Sequence, residues 1–378
     1  VFRGDRFVIA IGGWIGSQLR PAGLDIFDTT AYGLPSHSPP EPPLMKAACI
    51  ARTGPPEVIE VVDLPDPVPG PGEVLVRVRA SAVNPIDTYV RSGAVAMPLA
   101  FPYVVGCDLA GEVVATGPAT TRFRVGDSVW GSNQGLLGRQ GTCAELAAVD
   151  ERWLYPLPEG VAPRDAAAAA LVGITAHLGL VTHAALRAGE TIFVSGGSGG
   201  VGSMVVQIAR RLGGRVAATA SSDEGIARLA GYGAELVIDR RGLAGGPAAR
   251  AERVRGFAAA GVDVYWEALR EPDLEAALGL LADGGRIVLM AGRDARPPLP
   301  VGPFYVKGAR LVGFAMFKAP WYVQQAAAAD LNRWLADGLR APIAAVLPLA
   351  AAAEAHRLQE QATLSRTGPL TGKIVIEP

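Results

Sequence analysis

The run Val194-Ser195-Gly196-Gly197-Ser198-Gly199-Gly200-Val201-Gly202 constrains the fold of this chain more than any other stretch. Before it, Thr191 to Ser195 reads as a short apolar strand. After it, Val201, Met204, Val205, Ile208 and Leu212 recur at helical spacing and predict an amphipathic helix. Gly197, Gly199 and Gly202 give the GxGxxG spacing inside that strand–turn–helix unit. The first glycine permits the tight turn, the second lets a pyrophosphate approach the backbone, and the third lets the helix lie close on the strand. The helix N-terminus presents free N–H groups and the positive end of its dipole to an anion. The pattern therefore predicts a dinucleotide site in which Gly197, Ser198, Gly199, Gly200, Val201 and Gly202 face the pyrophosphate.

Around this unit the periodicity changes twice. From 45 to about 166 the chain reads as β-rich, with Val74, Val76 and Val78 on one face of an alternating strand and glycine-punctuated strands near 111–117 and 125–130. From 167 to 317 strands and helices alternate, which predicts βαβ units, a parallel sheet and right-handed crossovers. The remainder, 318–378, holds a helix near Tyr322 to Leu335 and a last strand at Gly372 to Ile376 that returns to the first domain. Residues 1–44 end in a proline-rich linker composition, and Met45 opens the first clear strand. This extension is expected to be dispensable for both domains. Phe7 to Ile15 resembles a signal core, but Asp5 precedes it and no small-residue cleavage site follows promptly.

Composition narrows the partners. With 378 residues the chain is long enough for two cores, and its net charge of −1 offers no footprint for nucleic acid or an anionic membrane. No segment is expected to reach the roughly 18 apolar residues that span a bilayer. Three widely spaced cysteines, Cys49, Cys107 and Cys143, argue for a reducing, cytoplasmic setting and against a disulfide framework.

Several ordered segments carry a family resemblance. They are Asn84-Pro85-Ile86-Asp87-Thr88-Tyr89-Val90-Arg91-Ser92-Gly93, then Pro102 through Gly111, Ala188-Gly189-Glu190 before the glycine loop, Thr219-Ala220-Ser221-Ser222, and Gly368 to Ile376. In these the chain resembles the medium-chain dehydrogenase/reductase superfamily, in its zinc-independent quinone oxidoreductase (zeta-crystallin-like) branch. The resemblance implies an α/β fold: a Rossmann doubly wound parallel sheet plus a GroES-like β-rich domain, with the active site between them. It also implies a homodimer. Zinc-dependent relatives carry a cysteine ligand where this chain has Asn84 and a histidine where it has Cys107, and the loop Gly131 to Gly141 lacks their four cysteines. No metal is expected.

The second strand of the dinucleotide unit ends in Ala218-Thr219-Ala220-Ser221-Ser222, without the carboxylate that would bind a ribose 2′-OH. Ser221 can therefore donate to a 2′-phosphate, the resemblance places Arg240 where the family contacts the adenosine end, and NADPH is expected over NADH. Gly225 stands where many relatives have a lysine, so one phosphate anchor is missing. Met290, Ala291, Gly292 and Gly313, at the ends of later strands, are further candidate cofactor contacts. The expected reaction is hydride transfer from NADPH to a quinone or conjugated enone. Tyr89 is the candidate donor to the developing oxyanion or a cofactor contact, and Asn84 the candidate to orient nicotinamide or carbonyl. His177 and His356 read as packing residues. Two alternatives stay open: an enoyl-thioester or 2-alkenal reductase on the same scaffold, and a non-enzymatic NADPH-binding or RNA-binding protein.

Overall fold

The computed structural model describes residues 43–242, 246–365 and 371–378. The expected extension lies, up to residue 42, outside these residues, as does Gly368 of the terminal segment. In the first half the chain forms β1 (Leu44–Ile50), β2 (Glu60–Pro65), β3 (Glu73–Val83), α1 (Pro85–Ser92), β4 (Tyr103–Val104), β5 (Asp108–Thr116), β6 (Ser128–Gly131), β7 (Leu146–Asp150) and β8 (Leu154–Pro156). A long helix, α2 (Pro163–His177), leads into β9 (Thr191–Ser195), α3 (Gly200–Arg211), β10 (Arg215–Ala220), α4 (Asp223–Gly231) and β11 (Leu236–Asp239). Then follow α5 (Gly246–Phe257), β12 (Val262–Glu267), α6 (Leu274–Leu280), β13 (Leu281–Leu289), α7 (Val301–Val306) and β14 (Arg310–Gly313). The chain closes with α8 (Trp321–Ala336), β15 (Ile343–Pro348), α9 (Ala352–Glu360) and β16 (Lys373–Glu377).

Six parallel strands form one sheet in the order β11-β10-β9-β12-β13-β14. That is a doubly wound order, and its direction reverses between β9 and β12, where such sheets bind nucleotides at the carboxyl ends of the strands. All five residues of β9 are buried, as expected of a strand covered on both faces. The other large sheet is mainly antiparallel, in the order β15-β16-β3-β5-β6-β8, with β7 also paired to β3. β16, the last strand of the chain, lies antiparallel to β3, which places Ile374 beside Val83. Val74, Val76 and Val78 point to a common core with Val113 and Val149, as their alternation predicts.

α2 joins the two sheets. Its five consecutive alanines, Ala166 to Ala170, are all buried and pack with Ala80, Ala82 and Ala110 of one sheet and with α3 residues of the other layer. Small side chains at a contact let the backbones approach closely. The expected domain boundary at 166/167 falls inside this continuous helix. The helix continues as a π-helical turn, Leu178–His183, and the combined 21-residue run is long and apolar enough to cross a bilayer by length and composition. This corrects the expectation that no segment reaches that length. The run is mostly buried inside the protein, because a helix packed between two layers needs apolar residues all round.

His356, on α9, is fully buried, and neither ring nitrogen has a hydrogen-bond partner among the described residues. Burial, aided by the nearby Arg91 charge, pushes its pKa down to about 3. The unfolded chain therefore binds this proton more readily, so the stability is present above pH 6.5 and is lost as pH falls from there toward 3. At pH 5 the expected loss is about 2 kcal/mol. Urea unfolding of the wild type and His356→Leu at pH 7.5 and pH 5 checks this. The wild type should lose about 2 kcal/mol more than the variant, and equal losses would refute the assignment.

Candidate active site

The glycine loop connects β9 to α3 as the spacing predicts, but its roles are distributed differently. Gly196, not Gly197, adopts the left-handed turn, with φ of 81°. Its N–H donates to Thr219 Oγ1 at 2.9 Å, and Gly197 N–H donates to the Thr219 carbonyl at 2.9 Å. One buried threonine of β10 thus pins the loop. Gly197 lies against that strand, where an added Cβ would meet the Ala218 Cβ at 2.9 Å. Gly202 holds the closest approach: its Cβ would stand 2.2 Å from the Gly196 carbonyl oxygen. Gly199 precedes the helix and no side chain caps it. The first-turn amides of Gly200, Val201 and Gly202 then have no intrahelical acceptor, and the dipole adds positive potential. This cradle fits a pyrophosphate.

The other candidate cofactor residues lie along the carboxyl ends of the same strands. Arg240 donates its backbone N–H to the Ala220 carbonyl at 2.9 Å, so it stands beside the end of β10. Ser221 is exposed there, while Ser222 is spent on capping α4 through Gly225 N–H at 3.0 Å. Met290 follows β13 and donates its amide to the Glu267 carbonyl at 3.2 Å. Ala291 is half-buried, and Gly292 turns with φ of 82°. Gly313 ends β14 opposite Leu289, with open space where a Cβ would be.

Sequence reasoning missed Glu267. It ends β12 directly opposite Ser195 of β9, at the reversal point of the sheet. Its carboxylate accepts from Leu269 N–H at 2.7 Å, and burial pushes its pKa up to about 7. The available signal was a carboxylate, Glu267, directly after the apolar run Val264-Tyr265-Trp266.

The expected role of Asn84 changes. Asn84 is fully buried; its Nδ2 donates to Asp108 Oδ2 at 2.7 Å and to the Ala82 carbonyl at 3.1 Å, and its Oδ1 accepts from Lys373 Nζ. With both donors committed, it holds an internal network and does not present its amide to a nicotinamide. Lys373 arrives from the far end of the chain and also donates to the Val83 carbonyl at 2.8 Å. Asp108 accepts from Ser132 Oγ at 2.6 Å, with Lys373 Nζ 4.0 Å away. Burial alone drives the carboxyl up and the ammonium down. Their attraction opposes both, and the acceptor-only bonding of Asp108 and donor-only bonding of Lys373 describe an ion pair. Nearby, burial pushes the Asp87 carboxyl to about 7 and the Cys107 thiol well above its ordinary range. Among the described residues no three or more His, Cys, Asp or Glu side chains are grouped as a metal site requires.

Tyr89, on α1, is half-buried, and the Arg293 guanidinium lies 5.9 Å from its ring centroid. Arg293 follows β13, and its Nη2 donates to the Ala94 carbonyl beyond α1. The two candidate halves of the site, strand ends and α1, therefore meet at this pair. His177, expected to pack at an interface, bonds Asp330 of α8 through Nε2 at 2.8 Å.

A doubly wound sheet with a nucleotide cradle, coupled to an antiparallel lobe that supplies Tyr89, defines a nicotinamide-dependent oxidoreductase. The comparisons agree. Residues 70–159 match the family model of the alcohol dehydrogenase GroES-like domain, and residues 200–333 that of the zinc-binding dehydrogenase. The quinone oxidoreductase of Sus scrofa is 34% identical over 338 residues, covering 88% of this chain and 98% of the relative. That of Homo sapiens is 31% identical over the same length, covering 88% and 98%. Among solved structures, an NAD-dependent alcohol dehydrogenase superposes with a TM-score of 0.78 at 30% identity, covering 88% of this chain and all of that one. A mycobacterial protein complexed with NADPH gives 0.75 at 30%, with the same coverage. The chain belongs to the medium-chain dehydrogenase/reductase superfamily, in its zeta-crystallin-like quinone oxidoreductase branch.

Proposed function

We propose that this enzyme reduces a quinone or conjugated carbonyl compound with NADPH, without a catalytic metal. The observation that carries this reading is the Lys373–Asn84–Asp108 network, a cation and its partners filling the polar centre of the antiparallel lobe. Without a Lewis acid to polarise an alcohol, reduction of an already electrophilic acceptor is the natural direction. Bound at the strand ends, the cofactor would supply the hydride. The chain contributes the cradle, the placement of the acceptor and, from Tyr89, a donor for the oxygen that gains negative charge. Quinone oxidoreductase relatives support the acceptor class. Steady-state turnover of NADPH with quinones, enones and enoyl thioesters tests it. Turnover confined to the thioesters would move the assignment to the alternative reductase.

The phenol has its own signature. Tyr89→Phe should lower kcat by about 10²-fold on a weakly electrophilic enone and far less on a quinone, with NADPH affinity nearly intact. An unchanged kcat on both would reduce Tyr89 to packing.

We infer NADPH rather than NADH from the end of β10, where Ser221 is exposed, the strand itself ends in Thr219-Ala220 without a carboxylate, and Arg240 is tied to Ala220. Arg240→Ala should weaken NADPH binding roughly 10-fold or more, the worth of one charge-assisted bond, and leave NADH binding within about twofold. Equal losses for both cofactors in a fluorescence titration would remove Arg240 as the phosphate anchor.

A further inference from the structure

A cavity of about 260 Å³ opens beside Gly292, and its walls include Arg270, Glu271, Arg293, Asp294 and Leu364. It is smaller than the roughly 300–1,000 Å³ that holds a whole drug-sized ligand, so it suits one head group. A larger hollow of about 470 Å³ is lined by Arg122, Phe123 and Pro156 and carries none of the strand-end residues.

The position of the smaller cavity is informative. Arg270 follows β12 and Arg293 follows β13, on the side of the reversal point away from β10 and Arg240. The Arg293 guanidinium lies over the ring of Tyr89, the proposed oxyanion donor, at 5.9 Å from its centroid. Both guanidinia are held by backbone carbonyls: Arg270 Nη1 donates to Thr363 O at 2.9 Å, and Arg293 Nη2 to Ala94 O. A carbonyl fixes a guanidinium in place without neutralising it. Asp294 compensates Arg293 little. Asp294 is 3.9 Å from Arg293 Nε and its side chain is 77% exposed, so solvent screens it. Gly292 and Leu364 also line the cavity.

We propose that this cavity is an acceptor subsite in which Arg270 and Arg293 bind a carboxylate, so that the preferred acceptors are conjugated carbonyl compounds bearing an acid group. Two planar, permanently charged forks match a carboxylate better than any neutral group. The subsite rests on the reductase reading above. In that reaction NADPH gives a hydride to the β-carbon of the enone and becomes NADP⁺. The resulting enolate takes one proton from Tyr89 or water.

A matched pair of acceptors tests it: 4-oxo-2-pentenoic acid and its methyl ester, with menadione as a neutral control. The acid should exceed the ester in kcat/KM by about tenfold or more, the worth of one charge-assisted contact. Arg270→Gln and Arg293→Gln should each lower that acid-to-ester ratio toward one. The wild type gives a second readout that needs no variant: raising ionic strength should reduce kcat/KM for the acid and not for the ester. Menadione turnover with an acid-to-ester ratio near one would overturn the subsite and leave the reductase reading standing. A ratio unchanged in both variants would do the same. Turnover of none of the three would overturn both.

Discussion

Gly202→Ala is expected to weaken NADPH binding by about 100-fold or more, the worth of roughly two charge-assisted hydrogen bonds. The new Cβ would stand 2.2 Å from the Gly196 carbonyl oxygen and 2.9 Å from Gly197 Cα, both of them backbone atoms. Neither can rotate away, so the loop must lift off the helix and the amides lose their aim at the pyrophosphate. Gly200→Ala is the control. Its Cβ would meet only Val172 Cγ1 at 3.4 Å and Lys373 Cδ at 3.6 Å, which is ordinary contact. That variant should stay within about tenfold of the wild type and gain some helix propensity. Equal affinities for the two variants, measured by cofactor fluorescence titration, would show that the helix–turn contact does not set the cradle.

The second large effect is expected at Lys373. Lys373→Met leaves the Asp108 carboxylate buried without its cation, a change typically worth about 3–5 kcal/mol of stability. The sign of the pH dependence follows. An unpaired buried carboxyl has a folded pKa above its unfolded value, so its stability contribution is intact at low pH and is lost as pH rises through the folded pKa. Relative to the wild type, Lys373→Met should therefore be less destabilised at pH 5 than at pH 8. Adding Asp108→Asn removes the orphaned charge and should recover a large part of the loss. Urea unfolding of the wild type and both variants checks this, and a penalty below about 1 kcal/mol for the single change would show that the pair contributes little. Because the Lys373 stem lies beneath Gly200, the same variant should also raise KM for NADPH.

These two residues show how differently the site was encoded. Gly202 was legible because its neighbours are local: the strand, the turn and the helix fall within about twenty consecutive residues. Its partner Gly196 is six positions away, and the spacing alone specifies the contact. Even so, the left-handed turn passed from Gly197 to Gly196, since adjacent glycines are interchangeable in sequence and only the bonds to Thr219 choose between them. Lys373 was not legible as a site residue. Its carbonyl partner Val83 is 290 positions away and Asn84 is 289, and nothing in an apolar strand marks one lysine as facing inward. Asn84 erred in the opposite direction. Its motif identified it, but the motif does not say that Asp108 and Lys373 consume its amide.

By itself, the sequence determined what short-range patterning encodes: the strand–turn–helix cradle, the alternation that makes β3 one-sided, the βαβ series and the family. Each is a local preference repeated along the chain, and burial only has to agree with it. Tertiary structure decided what depends on distant partners. It set the order of strands, which puts Glu267 opposite Ser195 at the reversal point. It closed α2 between two layers, turning an apolar run of membrane length into core. It also placed Arg293 on Tyr89, 204 positions earlier in the chain, and Lys373 against Asn84. A buried charge or a guanidinium over a ring is worth something only where its partner is, and that place exists only once the chain has folded.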